Sequence, residues 1–347
     1  MKSENIEVKK VHEEMPVTVL MATYQGKAYV RQQLDSILSQ TVPVRIIISD
    51  DGSTDGTQRI LEDYQEMYPE RIFLRHHRKP QTEGASAFSS PAADNFFWLL
   101  SVAFQDEACA YILLSDQDDV WFPDKVETLL GRIRRLEARL GTDHPVLVHS
   151  DMEVSDYKLE QISPSFFAYA RCNPGRVMFP EILVENPVTG GALMMNRALL
   201  NLVWPRPRAC CMHDWWIALA ASCFGTISCV RRPLSQYRQH DQNLVGAAAI
   251  GSARELADRL RRQRKVQENY WRMLAQAAAF DQRFHDKLTR EQKKVLKAFL
   301  TLPRQTPPAR LVSIVKNQFY KTSPVQTLAM CLTIPHRRKD GQKGTAK

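Results

Sequence analysis

Cysteines in CxxC spacing are absent from this 347-residue sequence, and so is a long apolar run. The seven cysteines are an odd number, whereas disulfide frameworks use even numbers and structural zinc sites use closely spaced pairs. The start, MKSENIEVKKVHEEMP, is charged and unlike a signal peptide. No window approaches the roughly 18 to 20 apolar residues that span a bilayer. We therefore expect a cytoplasmic protein with reduced thiols.

The composition is that of an ordinary globular protein, with 44% hydrophobic and 24% charged residues. These fractions exclude a disordered tail protein, a collagen-like fibre and a polytopic membrane protein. The chain is long enough to bury a large core without a disulfide or metal to hold it together.

The excess of positive over negative charge is confined to the C-terminal part of the chain. The whole sequence has 47 basic and 38 acidic residues, a balance of +9. Residues 254–347 contain 22 basic and 7 acidic residues, so residues 1–253 keep 25 basic and 31 acidic ones. This asymmetry predicts a tail that meets an anionic surface, either lipid or nucleic acid.

Short apolar runs alternate with helical periodicity over the first 140 residues, which predicts an α/β fold with a mostly parallel sheet flanked by helices. The predicted strands are Val17–Ala22, Val44–Ser49, Ile72–Arg75, Tyr111–Ser115 and Val146–His149. The predicted helices are Ala28–Ser39, Thr57–Met67, Asn95–Phe104 and Asp124–Leu140. We expect an N-terminal tail (1–15), a catalytic or binding domain (16–250) and a basic helical extension (251–347) that can attach to a membrane surface.

Polar side chains follow the first two predicted strands. Thr23 and Tyr24 end the first strand, and Asp50 and Asp51 end the second. Ligands of parallel α/β sheets bind at these strand ends. A carboxylate there can accept hydrogen bonds from a base or ribose, and the ring of Tyr24 offers a stacking surface. The alternative is that the aspartates only cap the next helix.

Three carboxylates, Asp116, Asp118 and Asp119, follow the apolar run that ends at Ser115. Like charges this close repel one another, and a divalent cation bound through oxygen would relieve the repulsion and reach a diphosphate. The alternative is a solvated acidic turn before a helix that starts near Pro123.

Paired glycines and a further carboxylate form the third candidate group. Gly190 and Gly191 allow a ligand to approach the backbone closely. Asp214 opens a helix beside two tryptophans, where it can act as a general base. The alternative is a helix cap next to core aromatics. His240 can contact a metal or a diphosphate, although a single histidine is more often structural.

In this order, TYQGKAYVRQQLDSILSQT, SDDGSTDGT, SDQDDVW, TGGALMMNR, HDWW and YRQHDQNLVG resemble glycosyltransferase family 2 and its GT-A fold. The combination of SDQDDVW, HDWW and YRQH is most similar to bacterial rhamnosyltransferases that build cell-wall or surface polysaccharides. The resemblance covers about residues 17–246. The family is assigned by the ordered set of motifs, whereas rhamnose rests on fewer of them.

The resemblance implies a role for each candidate residue. The residues that would bind the nucleotide-sugar are Thr23, Tyr24, Asp51, Asp116 and the paired glycines, Gly190 and Gly191. Asp118 and His240 would hold Mg²⁺ or Mn²⁺ on the diphosphate. Asp119 could take the place of Asp118, because the DQDD string leaves the choice between them open. Asp214 matches the catalytic base of the family.

The reaction implied is a single displacement with inversion at the anomeric carbon, for which dTDP-L-rhamnose is the expected donor. The expected acceptor is a saccharide linked to a polyprenyl diphosphate. An acceptor of this kind would place the basic tail against the anionic inner face of the plasma membrane. No nucleic-acid partner is expected.

Other functions compete with this one. A UDP-hexose donor would use the same chemistry, and a nucleic-acid-binding protein would use the basic tail, although that tail lacks interleaved aromatics. A catalytically inactive scaffold would not need the full set of carboxylates. The sequence departs from the family pattern between Arg78 and Asn95, where TEGASAFSSPAADNF replaces a shorter loop and Asp94 stands where a lysine is expected.

Overall fold

Nine strands form one sheet in the residues that the structure, a computed structural model, describes: 15–75, 90–239 and 263–334. The strands are β1 (Val17–Thr23), β2 (Arg45–Asp50), β3 (Ile72–Leu74), β4 (Tyr111–Ser115), β5 (Val120–Trp121), β6 (Val146–Ser155), β7 (Gln161–Ser163), β8 (Leu193–Asn196) and β9 (Thr226–Arg238). Their order in the sheet is β3-β2-β1-β4-β8-β6-β9-β5, and β7 pairs with β6.

Helices cover both faces of the sheet and continue beyond it. They are α1 (Val30–Leu38), α2 (Thr57–Met67), α3 (Pro91–Gln105), α4 (Lys125–Leu140), α5 (Phe166–Tyr169), α6 (Phe179–Ile182), α7 (Arg197–Val203), α8 (His213–Phe224), α9 (Gln263–Phe284), α10 (Arg290–Thr301), α11 (Pro307–Lys316) and α12 (Pro324–Thr333). The predicted α/β fold with helices after the sheet domain is confirmed.

The first half of the sheet is parallel, with β1 between β2 and β4 and β3 beside β2. Thr23 lies opposite Asp50 in the β1–β2 register, and Met21 lies opposite Ser115 in the β1–β4 register. The carboxyl ends of these strands therefore meet at one edge, where ligands of parallel sheets bind.

The second half of the sheet is mixed. Strand β8 runs antiparallel to β4 and β6, whereas β6 and β9 are parallel. Strand β6 extends six residues beyond the predicted end at His149. The polar Asp151 interrupts the apolar run, yet it is only 3% exposed, because Ser165 Oγ and the N–H groups of Met152 and Phe167 donate to its carboxylate.

Alternate residues of β1 belong to two different hydrophobic clusters, as expected for a strand buried on both faces. Leu20 packs with α3, α8 and the C-terminal helices, whereas Val19 and Met21 pack with α1, α2 and α4. Helix α3 begins at Pro91, four residues before the predicted start, because Ser90 caps it by accepting from Ala93 N–H.

The C-terminal helices share the core of the sheet domain. Phe280, Phe299 and Phe319 are fully buried in the same cluster as Trp216. The guanidinium of Arg283 donates to backbone carbonyls at the end of α7. The predicted boundary between 250 and 251 lies outside the described residues. No helix in the described part of the chain has the length and apolar character to cross a bilayer.

Candidate active site

The turn after β2, residues 50–57, is satisfied by its own hydrogen bonds. We call it the DDGSTDGT turn. The Asp50 carboxylate accepts from Thr23 Oγ1 at 2.8 Å, from the N–H and hydroxyl of Ser53 at 2.8 and 2.5 Å, and from Gln58 Nε2 at 3.0 Å. Desolvation would raise the pKa of Asp55, but hydrogen bonds from Thr57 and Lys27 outweigh it and hold this pKa below its usual range. Asp50 therefore stabilises the turn and does not cap α2, whose N-cap residue is Gly56, whereas Asp55 accepts from the first N–H of that helix.

Two residues of the predicted nucleoside site face outward at this edge. Tyr24 is 58% exposed, and Asp51 is partly exposed. Thr23 is 2% exposed, and its hydroxyl donates to Asp50, so its side chain supports the DDGSTDGT turn. The sequence-predicted residues Thr23, Tyr24 and Asp51 are thus brought together, with the Asp51 N–H donating to the Thr23 carbonyl at 2.9 Å.

The second acidic turn, residues 116–119, follows β4 and is joined to the end of β1. We call it the DQDD turn. The amide of Gln117 accepts from Tyr24 N–H and donates to the Tyr24 carbonyl, both at 2.8 Å. A Cβ on Gly26 would lie 2.2 Å from Gln117 Oε1, which explains why glycine stands there. The sequence assigned no role to Gln117, yet it fixes the DQDD turn beside the predicted nucleoside site.

The carboxylates of Asp116 and Asp119 converge on the paired glycines. A Cβ on Gly191 would lie 3.0 Å from Asp119 Oδ2 and 3.6 Å from Asp116 Oδ2. Glycine therefore lets the backbone of residues 190–192 approach both acids. Asp119 is 2% exposed, whereas Asp116 and Asp118 are partly exposed.

Burial and mutual repulsion make these acids hard to ionise. Desolvation, with the nearby charges of Asp118 and Asp214, raises the pKa of Asp116 to about 7. Desolvation and the charges of Asp118 and Asp116 raise the pKa of Asp119 well above its usual range. The DQDD turn therefore holds negative charge that the protein only partly compensates.

Lys125, the first residue of α4, supplies part of that compensation. It is 0% exposed, and its Nζ donates to the Gly191 carbonyl at 2.6 Å and lies 4.1 Å from the centroid of the Trp121 ring. Burial lowers the pKa of Lys125 to about 7, opposed by the charges of Asp119 and Asp116. This lysine was not assigned from the sequence, where it reads as an ordinary helix residue.

Arg238, at the end of β9, holds the DQDD turn from the other side. Its Nε donates to the Asp118 carbonyl at 2.8 Å, and its N–H donates to Asp119 Oδ1 at 3.3 Å. The remaining guanidinium nitrogens donate to Gln32 Oε1 and the Tyr157 carbonyl, at 2.6 and 2.7 Å. Arg238 is 2% exposed and therefore positions the turn.

Asp214 lies in the first turn of α8, beside the paired glycines. Desolvation raises its pKa to about 6, opposed by hydrogen bonds from backbone N–H groups that include those of Trp215 and Gly190. The Gly190 N–H donates to Asp214 Oδ2 at 3.1 Å. A carboxylate with this pKa is ionised at pH 7.5 and still basic enough to accept a proton.

The neighbours of Asp214 keep it in place. His213 is 4% exposed and stacks on Phe96 with ring centroids 4.1 Å apart, and burial lowers its pKa to about 3. A Cβ on Gly190 would lie 2.8 Å from His213 Nε2, so this position also requires glycine. Of the two tryptophans, Trp216 is fully buried core, as in the alternative interpretation, and Trp215 is half-buried.

The residues present suit a hard divalent cation that also binds a substrate phosphate. No group of three or more His, Cys, Asp or Glu side chains with metal-site geometry occurs in the described residues. Mg²⁺ sites of phosphate enzymes commonly use only one or two carboxylates and complete the shell with water and phosphate oxygens. The carboxylates of the DQDD turn, whose negative charge is only partly compensated, fit that chemistry. His240, the other predicted metal residue, lies outside the described residues.

Most of the unusual loop before α3 also lies outside the described residues. Its described end is the start of α3, which contacts the segment before α8. The Asp94 carboxylate forms an ion pair with Arg206, which also lies over the ring of Phe97. Asp94 thus pairs with an arginine of this chain at the position where the family pattern has lysine.

Residues 18–200 match the sequence profile described as Glycosyl transferase family 2, which is more than half of the chain. The chain belongs to this family. The DQDD turn and the paired glycines lie within the matched residues, and Asp214 lies beside these glycines.

This glycosyltransferase is similar to the dTDP-rhamnosyl transferase RfbG of Shigella flexneri, with 29% identity over 65% of this chain and 74% of the relative. An uncharacterized glycosyltransferase of Nostoc is 25% identical over 70% of each chain. The crystal structure of S. aureus TarS 1-349 with UDP-GlcNAc has a TM-score of 0.53 at 16% identity, over 90% of this chain and 84% of that one. A longer TarS structure is covered over 43% of its length, with a TM-score of 0.49. The TarS 1-349 likeness confirms the GT-A fold.

Proposed function

We propose that this glycosyltransferase transfers L-rhamnose from dTDP-L-rhamnose to a saccharide acceptor, with inversion at the anomeric carbon. The observation that carries the proposal is the convergence of Asp116, Asp119 and Asp214 on the paired glycines, at the strand ends of a family 2 chain. The choice of rhamnose is supported by the similarity to the dTDP-rhamnosyl transferase of Shigella flexneri.

The nucleoside lies against the outward face of the β1 and β2 ends. The ring of Tyr24 is exposed for stacking on the base, and Asp51 is accessible for a hydrogen bond to the base or ribose. Thr23 holds the DDGSTDGT turn behind them. Asp116 reaches toward the ribose or the sugar from the adjacent strand end, beside Gly191.

Asp118 is the main ligand of Mg²⁺ or Mn²⁺ in this proposal. It is more accessible than Asp119, which is 2% exposed and accepts from the Arg238 N–H. When bound, the cation neutralises charge on the diphosphate of the leaving group. Lys125 and Arg238 hold the DQDD turn in place around the nucleotide. His240 lies outside the described residues, and the role proposed for it follows from the family pattern alone.

Asp214 acts as the general base. It takes the proton from an acceptor hydroxyl while that oxygen attacks C1 of the sugar, and the nucleoside diphosphate departs. The Gly190 N–H orients the carboxylate. Binding both substrates at one edge of the sheet contributes to the rate by proximity. No covalent enzyme intermediate is formed.

The acceptor in this proposal is linked to a polyprenyl diphosphate, so the enzyme works at the inner face of the plasma membrane. The basic C-terminal part, with 22 basic and 7 acidic residues over 254–347, supports attraction to anionic lipid.

Release of nucleoside diphosphate from a panel of nucleotide-sugars tests the donor, because slow hydrolysis needs no acceptor. We expect turnover of dTDP-L-rhamnose with Mn²⁺ or Mg²⁺, loss of turnover in EDTA and in Asp118→Ala, and no loss in Asp124→Ala. Asp124 is a matched control, since it is close in sequence and forms an exposed ion pair with Arg232 at 2.7 Å. Turnover of a UDP-hexose instead would keep the mechanism and replace the donor. Absence of both turnover and nucleotide binding would contradict the proposal.

A further inference from the structure

Two C-terminal helices expose large apolar side chains on one side each. On α11 the exposed residues are Leu311, Val312 and Val315, at 45, 66 and 54%. On α12 they are Val325, Leu328 and Leu332, at 52, 50 and 62%. The members of the first set are one, three and four residues apart, and those of the second are three, four and seven apart. These spacings keep each set on one face of its helix. We call these six residues the apolar face.

The apolar face is concentrated in a short part of the chain. Thirteen large hydrophobic residues are exposed in the described residues, and six of them lie between 311 and 332. Single exposed hydrophobics are ordinary in soluble proteins, but a cluster indicates an interaction surface.

The opposite sides of these helices are fixed to the rest of the protein. Ile314 and Met330 are buried in the main core. The guanidinium of Arg310, 2% exposed, donates to the carbonyls of Cys331 and Ile334 at 2.8 and 2.9 Å and so joins α11 to α12. The Lys321 ammonium donates to the Val184 carbonyl at 2.9 Å. The apolar face therefore belongs to helices that already pack well on their inner sides.

The segment that carries the apolar face has charge of one sign, and Glu185 of the sheet domain lies beside it, accepting from Thr322. Between Glu291 and Asp340 the sequence has ten basic residues and no acidic one. Apolar side chains surrounded by lysine and arginine are the composition of helices that lie in the interface of an anionic bilayer.

A second copy of this chain and residues 335–347 are the other candidates for covering the apolar face, and both fit it less well. Two copies of this segment would bring two sets of ten basic residues together, and like charges repel. Residues 335–347, PHRRKDGQKGTAK, contain no large apolar side chain that could cover the face.

We propose that the apolar face of α11 and α12 inserts into the interfacial region of an anionic membrane, with the surrounding lysines and arginines against the lipid headgroups. Only the link between this docking and a lipid-linked acceptor rests on the proposed function. The docking itself follows from exposure and charge.

Co-sedimentation of the full chain with vesicles tests the docking. The probe is phosphatidylcholine vesicles with and without about one third phosphatidylglycerol, at low and high salt. The test variant is Leu311→Gln/Leu328→Gln/Leu332→Gln. The matched control is Met67→Gln/Leu140→Gln/Ile162→Gln, which changes three residues of similar exposure elsewhere, at 57, 46 and 48%.

We expect the wild-type chain to bind anionic vesicles and to release them at high salt. The partition coefficient should fall at least roughly tenfold in the test variant and less than about twofold in the control. Melting temperature and donor hydrolysis in solution should be unchanged in both variants, because all six substituted residues are exposed and lie outside the site.

Equal vesicle binding by the test and control variants would overturn the docking proposal. A lower melting temperature in the test variant alone would show that another segment of the chain, such as 240–262, covers the face. A concentration-dependent change in size lost only in the test variant would indicate a second copy as occupant. Vesicle binding that depends on the face, without any donor turnover, would leave the docking intact and contradict the proposed function.

Discussion

The two acidic turns at the edge of the parallel strands differ in how far the protein compensates their negative charge. In the DDGSTDGT turn, neighbouring hydroxyls, amides and N–H groups satisfy Asp50 and Asp55, and the pKa of Asp55 is lowered. In the DQDD turn, burial and mutual repulsion raise the pKa of Asp116 and Asp119. The hydrogen bonds of the first turn are complete without a ligand, whereas we propose that the second turn binds a cation. Sequence motifs rich in aspartate are therefore distinguished by which hydrogen-bond donors surround them.

The largest expected effect concerns Asp214, the proposed base beside the paired glycines. Asp214→Asn keeps the shape but cannot accept the acceptor proton, so kcat should fall by about 10²–10⁴-fold with little change in nucleotide affinity. Steady-state transfer assays measure kcat, and calorimetry measures the nucleotide affinity. A variant with more than about one third of wild-type kcat would exclude Asp214 as the base.

A second prediction contrasts one aspartate from each turn. Asp118→Ala should lower turnover roughly 100-fold or more, because it removes the proposed cation ligand. Asp55→Ala should lower the melting temperature, because it removes the acceptor of Thr57 and Lys27, and should keep most of the turnover. The opposite pattern would reverse the roles assigned to the two turns.

The third prediction compares stability without nucleotide or metal at pH 8. Asp50→Ala should destabilise the fold by about 2 kcal/mol, since several donors lose their acceptor. Asp116→Asn should stabilise it by about 1–2 kcal/mol, because it removes a charge that burial desolvates and that the neighbouring aspartates repel.

The sign of the Asp116 effect depends on pH. The pKa of Asp116 is about 7 in the folded protein against an ordinary value of 3.8, so ionisation destabilises the fold as pH rises through that interval. The gain from Asp116→Asn should therefore be largest above pH 7 and disappear near pH 4. Denaturant melts at both pH values measure the gain, and an equal effect at both would contradict the unfavourable ionisation of Asp116 as its cause.

The smallest expected effect is the pH dependence of the wild-type reaction. With the pKa of Asp214 at about 6, kcat should decline below pH 6, by about tenfold at pH 5, and level off above pH 7. The decline reflects protonation of the base. The pH–rate profile measured with saturating donor and acceptor checks it, and a flat profile from pH 5 to 7 would argue against a base with this pKa.

The sequence was sufficient for the parts that depend on local pattern. The strand Tyr111–Ser115 and the helix Thr57–Met67 have the predicted bounds, because apolar runs and helical periodicity define them. The sequence also located the carboxylates of the DQDD turn, since three acids directly after a buried strand are unusual. The family was predicted from the order of the motifs and is confirmed by the profile match.

The residues that depend on distant contacts could not be predicted. Lys125 lies among buried acids because β9 and residues 190–192 fold over it, and lysines are rarely buried without such partners. Arg238 is separated from the DQDD turn by 120 residues. The sequence does contain a signal for Gln117, because Gly26 and the DQDD string both belong to the family motifs. Only the structure shows that Gly26 and Gln117 lie against each other.

Calorimetric titration of dTDP into the wild-type chain and Asp118→Ala, each with Mn²⁺ and with EDTA, tests the central claim that the DQDD turn requires a cation to bind its ligand. We expect wild-type affinity to be at least about tenfold higher with Mn²⁺ than with EDTA, and Asp118→Ala to show no such difference. Equal affinity of the wild type with and without the metal would contradict the claim.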